Sequence, residues 1–127
     1  MIATVKDILH KKGNEVVTVL QEDSVYEALS LMKQKNIGAL PVTNRMGKVV
    51  GIVSYEDFVQ KVNLDDKPGR STPVSKIMTR DLIGKTLEKT AEECIAVMLG
   101  ERIRHLPVFD ENKLVGLISI GDTVKSI

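Results

Sequence analysis

Aromatic side chains, cysteine and net charge are all scarce in this chain of 127 residues. It has two Phe, two Tyr and no Trp, a single Cys, and 18 basic against 17 acidic residues, for a formal net charge of +1. The lone Cys94 excludes an internal disulfide and suits a reducing compartment. The charge balance argues against a protein that grips DNA or RNA by bulk phosphate neutralisation, which needs a clear cationic excess. An anion bound here is expected to be small and locally recognised. No apolar run reaches the roughly 18 residues of a membrane span, and no charged-then-apolar leader opens the chain. The sequence therefore reads as a soluble cytoplasmic protein. Enzymatic signatures are missing too: there is no His-Glu-x-x-His, no paired Cys-x-x-Cys, no Gly-x-Ser-x-Gly and no glycine-rich phosphate loop. The reading is of a protein that is not an enzyme and requires no metal.

What the chain does have is itself, twice. "EDSVYEALSLMKQKNIGALPV" (22–42) aligns with "EKTAEECIAVMLGERIRHLPV" (88–108), placing Glu22 on Glu88, Met32 on Met98 and Leu40-Pro41-Val42 on Leu106-Pro107-Val108. "VVGIVSYEDFV" (49–59) then aligns with "LVGLISIGDTV" (114–124), with one residue fewer in the intervening turn of the second copy. The lead-ins "VKDIL" (5–9) and "VSKIM" (74–78) resemble each other as well.

Each copy spells β-α-β-β-α, an α+β unit. "VVTVL" (16–20) is β-branched and predicts a strand. Ser24 with Glu27, and Thr90 with Glu93, have the spacing of capping boxes that open helices. Those helices put Val25, Ala28, Leu29 and Met32 on one face, and Ala91, Cys94, Ile95 and Met98 on the equivalent one. Cys94 thus reads as core packing, and His10, beside Lys11 and Lys12, as solvated. Two apolar runs, 39–43 and 48–54, predict a hairpin whose turn uses Gly47 at positive φ; the second copy turns through 110–113. A further helix is expected from Ser54 and from Ser119. The copies span 3–62 and 74–127, with the polar, Pro- and Gly-containing 63–73 as linker. A unit of roughly 55 residues buries little core alone, so the two are expected to pack sheet against sheet about a pseudo-twofold axis.

The repeated Ser-x-x-Asp, Ser54 to Asp57 and Ser119 to Asp122, sits where a strand gives way to a helix. It can simply cap the helix. Its carboxylate can equally accept hydrogen bonds from the vicinal hydroxyls of a ribose. Arg104 and His105 add donors suited to phosphate just ahead of Leu106-Pro107-Val108, where the first copy has Gly38 and Ala39. The plainer alternative is an Arg in water and a half-buried His. Gly38 and Ala39 are small enough for a flat base to approach the backbone, or simply pack tightly.

With "IGALPV" and "IRHLPV" followed by "GIVSYED" and "GLISIGD", the chain resembles a tandem pair of CBS domains, a Bateman module, over nearly its whole length. That extent leads to the expectation of a stand-alone bacterial type without an attached enzyme or channel. The resemblance implies two clefts between the repeats that hold an adenine-containing ligand, AMP foremost, with ADP, ATP, NAD or S-adenosylmethionine as others. It implies ribose binding by Asp57 and Asp122 with Ser54 and Ser119, and phosphate binding by Arg104 and His105. It surrounds the base with Thr18, Gly84, Ile37, Gly38, Ala39, Leu40, Ile103, Leu106 and Pro107. It further implies a homodimer and a regulated protein that the sequence does not identify. Related proteins often carry Arg where this chain has Glu56, whose carboxylate repels a contacting phosphate by about 4 kcal/mol at an effective dielectric of 20. Gly121 stands there in the second copy, which makes that copy the better phosphate site. The rival expectation is an assembly module that binds no ligand.

Overall fold

The computed structural model describes residues 2–13, 15–61, 72–80 and 87–127. Helix α1 (Val5–Lys12) precedes strand β1 (Val19–Leu20), helix α2 (Val25–Lys35), strands β2 (Ala39–Thr43) and β3 (Val49–Ser54), and helix α3 (Tyr55–Lys61). After a 3-10 turn at Val74–Lys76 come helix α4 (Ala91–Glu101), strands β4 (His105–Asp110) and β5 (Lys113–Ser119), and helix α5 (Ile120–Val124). The β-α-β-β-α order stands complete in the first copy. The segment where the second copy is expected to open with a strand, Gly84 and the linker up to residue 71 lie outside the described residues.

Local chemistry sets the element ends. Ser24 Oγ accepts the Glu27 N–H at 3.0 Å while Glu27 accepts the Ser24 N–H, and Thr90 and Glu93 repeat the exchange. Four backbone donors that a helix start leaves open are thereby satisfied across the two helices. At the other end Asn36 and Arg102 turn left-handed (φ 55° and 58°). The next N–H folds back in each case, Ile37 onto the Met32 carbonyl and Ile103 onto that of Met98, the Schellman pattern. The buried faces are Val25, Ala28 and Met32 on α2, and Ala91, Cys94 and Met98 on α4; Leu29 and Ile95 are only partly covered.

In the first sheet β1 runs parallel to β2 and β2 antiparallel to β3; β4 and β5 form the second, antiparallel pair. The registers correspond: Ala39 opposes Ser54 as His105 opposes Ser119, and both hairpins carry an irregularity at the equivalent step, Val42/Thr43 and Val108/Phe109. Gly47 takes φ 82° as its turn requires, whereas Glu111 and Asn112 (φ 49° and 66°) make the tighter second turn. The expected strand over 16–20 shortens to Val19–Leu20, because among the described residues only these two find partners, Val42 and Thr43.

The described residues divide into two compact units, one within 17–82 and the other combining 1–16 with 83–127. Each lead-in packs with the other copy. Val74, Ile77 and Met78 join the core built on Val25, Met32, Leu40 and Val53, while Val5, Ile8 and Leu9 join the core built on Ala91, Met98, Leu106 and Ile118. Backbone bonds repeat the arrangement: the Val5 N–H meets the Lys89 carbonyl at 2.7 Å, and the Val74 N–H meets that of Asp23 at 2.8 Å. Burying side chains of this kind stabilises by about 1.5–3 kcal/mol each. Equivalent glycines make the close approach possible. A Cβ on Gly51 would lie 2.9 Å from the Thr79 carbonyl oxygen, and one on Gly116 would lie 2.6 Å from a Leu9 methyl.

Candidate functional site

The two Ser-x-x-Asp segments stand at the β3–α3 and β5–α5 junctions. In the first, Asp57 Oδ2 accepts the Ser54 N–H at 2.8 Å and its hydroxyl at 3.1 Å. The Tyr55 N–H donates to the Gly38 carbonyl at 3.0 Å, which ties the junction to the residue ahead of β2. In the second, Asp122 Oδ2 accepts the Ser119 N–H at 2.8 Å, Ser119 Oγ accepts the Asp122 N–H at 3.1 Å, and the Ile120 N–H donates to the Arg104 carbonyl at 2.8 Å. Ser119 thus caps the helix through a full capping box. The same geometry holds a carboxylate beside the start of the Leu-Pro-Val strand in both copies.

Each carboxylate also meets a lysine that the motif does not contain. Lys61 Nζ lies 2.9 Å from Asp57 Oδ1 and donates to the Ile77 carbonyl at 3.0 Å. Lys12 Nζ, from the end of α1, lies 2.7 Å from Asp122 Oδ2 and 2.7 Å from the Leu117 carbonyl oxygen. Lys61 was legible as an i,i+4 partner of Asp57 on one helix face. Lys12 carries no local signal, since 110 residues separate it from Asp122.

Burial is the largest single influence on the Asp122 carboxyl and pushes its pKa up. The hydrogen bond and charge of Lys12, with the Ser119 N–H and hydroxyl, together outweigh it and hold the group below the usual aspartate value. Thr4 and Thr90 hold the exposed capping carboxylates Asp7 and Glu93 low in the same way, first through the backbone N–H. A carboxylate depressed in the folded state adds stability above its unfolded pKa, near 4, and loses it as pH falls through the folded value. Denaturant unfolding is therefore expected to give a stability that declines below about pH 5, with a shallower decline in Asp122→Asn.

The other candidate residues divide by exposure. Arg104 and Gly38 are exposed, His105 is half-buried at the start of β4, and Thr18 is exposed just ahead of β1. Ile37 and Ile103 are partly buried against the two cores, while Ala39, Leu40, Leu106 and Pro107 are buried. That last group belongs to the interior, main chain included, so in this structure Arg104, Gly38, Thr18 and the half-buried His105 are the more accessible candidates. Glu56 and Gly121 are exposed, and Cys94 is fully buried. His10 is exposed and lines, with Lys6, Leu9, Val16, Leu87, Leu114 and Val115, a cavity of about 490 Å³. Among the described residues no group of three or more His, Cys, Asp or Glu side chains could hold a metal ion, and no helix is long and apolar enough to cross a membrane.

The model of one family, the CBS domain, matches residues 3–63 and 74–127. The CBS domain-containing protein YhcV of Bacillus subtilis (strain 168) is 34% identical over 121 residues, covering 95% of this chain and 83% of that protein. The crystal structure of the CBS domain protein NE2398 superposes with a TM-score of 0.92 at 44% identity, over 98% of this chain and 97% of that one. The CBS domain pair of protein MJ0100, crystallised in complex with 5′-methylthioadenosine and S-adenosyl-L-methionine, gives a TM-score of 0.84 at 27% identity, over 98% and 95% of the two chains.

Proposed function

The chain belongs to the CBS-domain family, with two copies in tandem, and from that premise we propose that it is a non-catalytic regulatory module for an adenine nucleotide. AMP is the first choice, with ADP, ATP and NAD as the others. The observation that carries this reading is the second junction. There one backbone hydrogen bond ties Arg104, ahead of the strand, to Ile120, next to the capping Ser119 and two residues before Asp122.

On this reading Asp122 and Ser119 take the ribose hydroxyls, and Arg104 and His105 the phosphate. The main chain of 103 and 104 lies against the base. Asp57, Ser54 and the main chain of 37 and 38 form a first-copy counterpart that favours less charge because Glu56 stands beside it. The adenosine-containing ligands of the MJ0100 pair support the ligand class. The module works as a cytoplasmic homodimer. Two of its arrangements bind the nucleotide with different affinity, so the ligand shifts their populations and a partner protein reads the shift.

Thermal unfolding of the full chain with AMP, ADP, ATP and NAD tests the proposal. A ligand at a hundred times its dissociation constant adds about 2.7 kcal/mol to the folded state, so at least one of the four raises the melting temperature by several degrees. A melting temperature unmoved by all four is the result expected of a ligand-free assembly module.

A further inference from the structure

The lysine at each junction is not an inherited part of the repeat. With Asp57 aligned on Asp122, Lys61 falls on Ser126, and Lys12 belongs to the lead-in of the opposite copy. Two unrelated positions nevertheless deliver an ammonium to the same place, across the junction carboxylate and a main-chain carbonyl oxygen.

The two pairs differ in what they leave open. At Asp57, Oδ2 holds the Ser54 N–H and hydroxyl while Oδ1 holds Lys61, so both oxygens are engaged. At Asp122 the Ser119 N–H and Lys12 converge on Oδ2, and Oδ1 accepts no hydrogen bond among the described residues. The Asp122 side chain is also the more open of the two, 23% exposed against 10%. An ammonium has three N–H donors, and Lys12 uses two, on Asp122 and Leu117. Among the described residues, the second junction therefore has one acceptor, Asp122 Oδ1, and one donor of Lys12 Nζ without a hydrogen-bond partner. Helix capping uses neither. A hydroxyl reaching Asp57 shares an oxygen with Lys61 or Ser54 in the less exposed of the two pairs, whereas Asp122 Oδ1 has no such partner among the described residues.

We infer that Lys12 is a ligand-contacting residue of the second junction, binding an anionic oxygen of a ligand whose hydroxyl is accepted by Asp122 Oδ1. The inference rests on the nucleotide reading and narrows it: Lys12 makes the site select a nucleoside phosphate over the uncharged nucleoside. Without its ammonium, the Asp122 carboxylate faces a phosphate as an uncompensated like charge, while a neutral sugar is hardly affected.

Isothermal titration of the full chain with adenosine, AMP and ADP tests this in wild type, Lys12→Met and Lys12→Arg. Lys12→Met is expected to weaken AMP and ADP at least tenfold and adenosine less than threefold, and Lys12→Arg to restore most of the phosphate affinity. Lys12→Gln removes the charge but keeps a donor, and makes the same comparison if Lys12→Met does not fold. Equal losses for adenosine and AMP overturn the inference, because they assign Lys12 only to holding Asp122 in place; unchanged affinities overturn it too. Binding of none of the three by wild type overturns the nucleotide reading and the role of Lys12 together, a result distinct from either of those.

Discussion

Ile8→Ala is expected to remove about 2–5 kcal/mol of unfolding free energy, the range for truncating a buried Ile or Leu, and to loosen the copy that begins far downstream of it. Ile8 is 3% exposed and packs with Val5 and Leu9 into the cluster of Ala91, Met98, Leu106, Val108 and Ile118. Removing its outer carbons leaves a void that those neighbours close only in part. Against a total stability of about 5–15 kcal/mol for a domain, the loss is severe. Hydrogen exchange read residue by residue checks where it falls, since local opening reports the stability of each cooperative region. Protection should drop at Leu106, Val108 and Ile118 and persist at Leu40, Val42 and Val53. Ile77→Ala, in the other cluster, should reverse the pattern. Loss of protection in 39–54 on truncating Ile8 would contradict the exchanged packing.

Asp122→Ala is expected to weaken AMP binding by about tenfold to a hundredfold. A hydrogen bond to a charged group contributes about 1.5–3 kcal/mol, and each 1.4 kcal/mol is tenfold in affinity. The same substitution opens the Ser119 capping box, which costs about 1 kcal/mol of stability. Asp122→Asn separates the two effects, because the amide keeps an acceptor for the Ser119 N–H while losing the charge that meets Lys12. Titration calorimetry on both variants and on Asp57→Ala makes the comparison. Asp57→Ala should cost less affinity, because its oxygens are already engaged by Ser54 and Lys61. Affinity unchanged in Asp122→Ala would remove this carboxylate from the site.

Much of the architecture can be read from local signals. The capping pairs Ser24–Glu27 and Thr90–Glu93, the Gly47 turn and the buried faces of α2 and α4 depend on residues three or four apart, and they form as spaced except that Leu29 and Ile95 are only partly covered. The lead-ins do not yield to the same reading. "VKDIL" and "VSKIM" look alike, yet the first is opened by the Thr4–Asp7 capping box and makes α1, while the second follows Pro73 and makes a single 3-10 turn. Val16 and Val17 have strand propensity but no paired neighbour among the described residues, so propensity alone overextends β1. At the candidate site, the Ser-x-x-Asp motifs are legible because motif and helix start coincide. Lys12 is not, because it reaches Asp122 only through the tertiary packing of α1.

The exchange of lead-ins also decides how this duplication can be taken apart. Cutting the gene at the seam between its two matching halves yields two fragments, each missing the apolar piece that fills it and each carrying the piece meant for the other. One continuous stretch, 17–82, contains a complete interior; its sibling becomes continuous only if the last residue is stitched to the first. Descent from a self-sufficient ancestor therefore implies a swap after the doubling, one that leaves the boundaries of the packed units out of step with those of the repeated sequence.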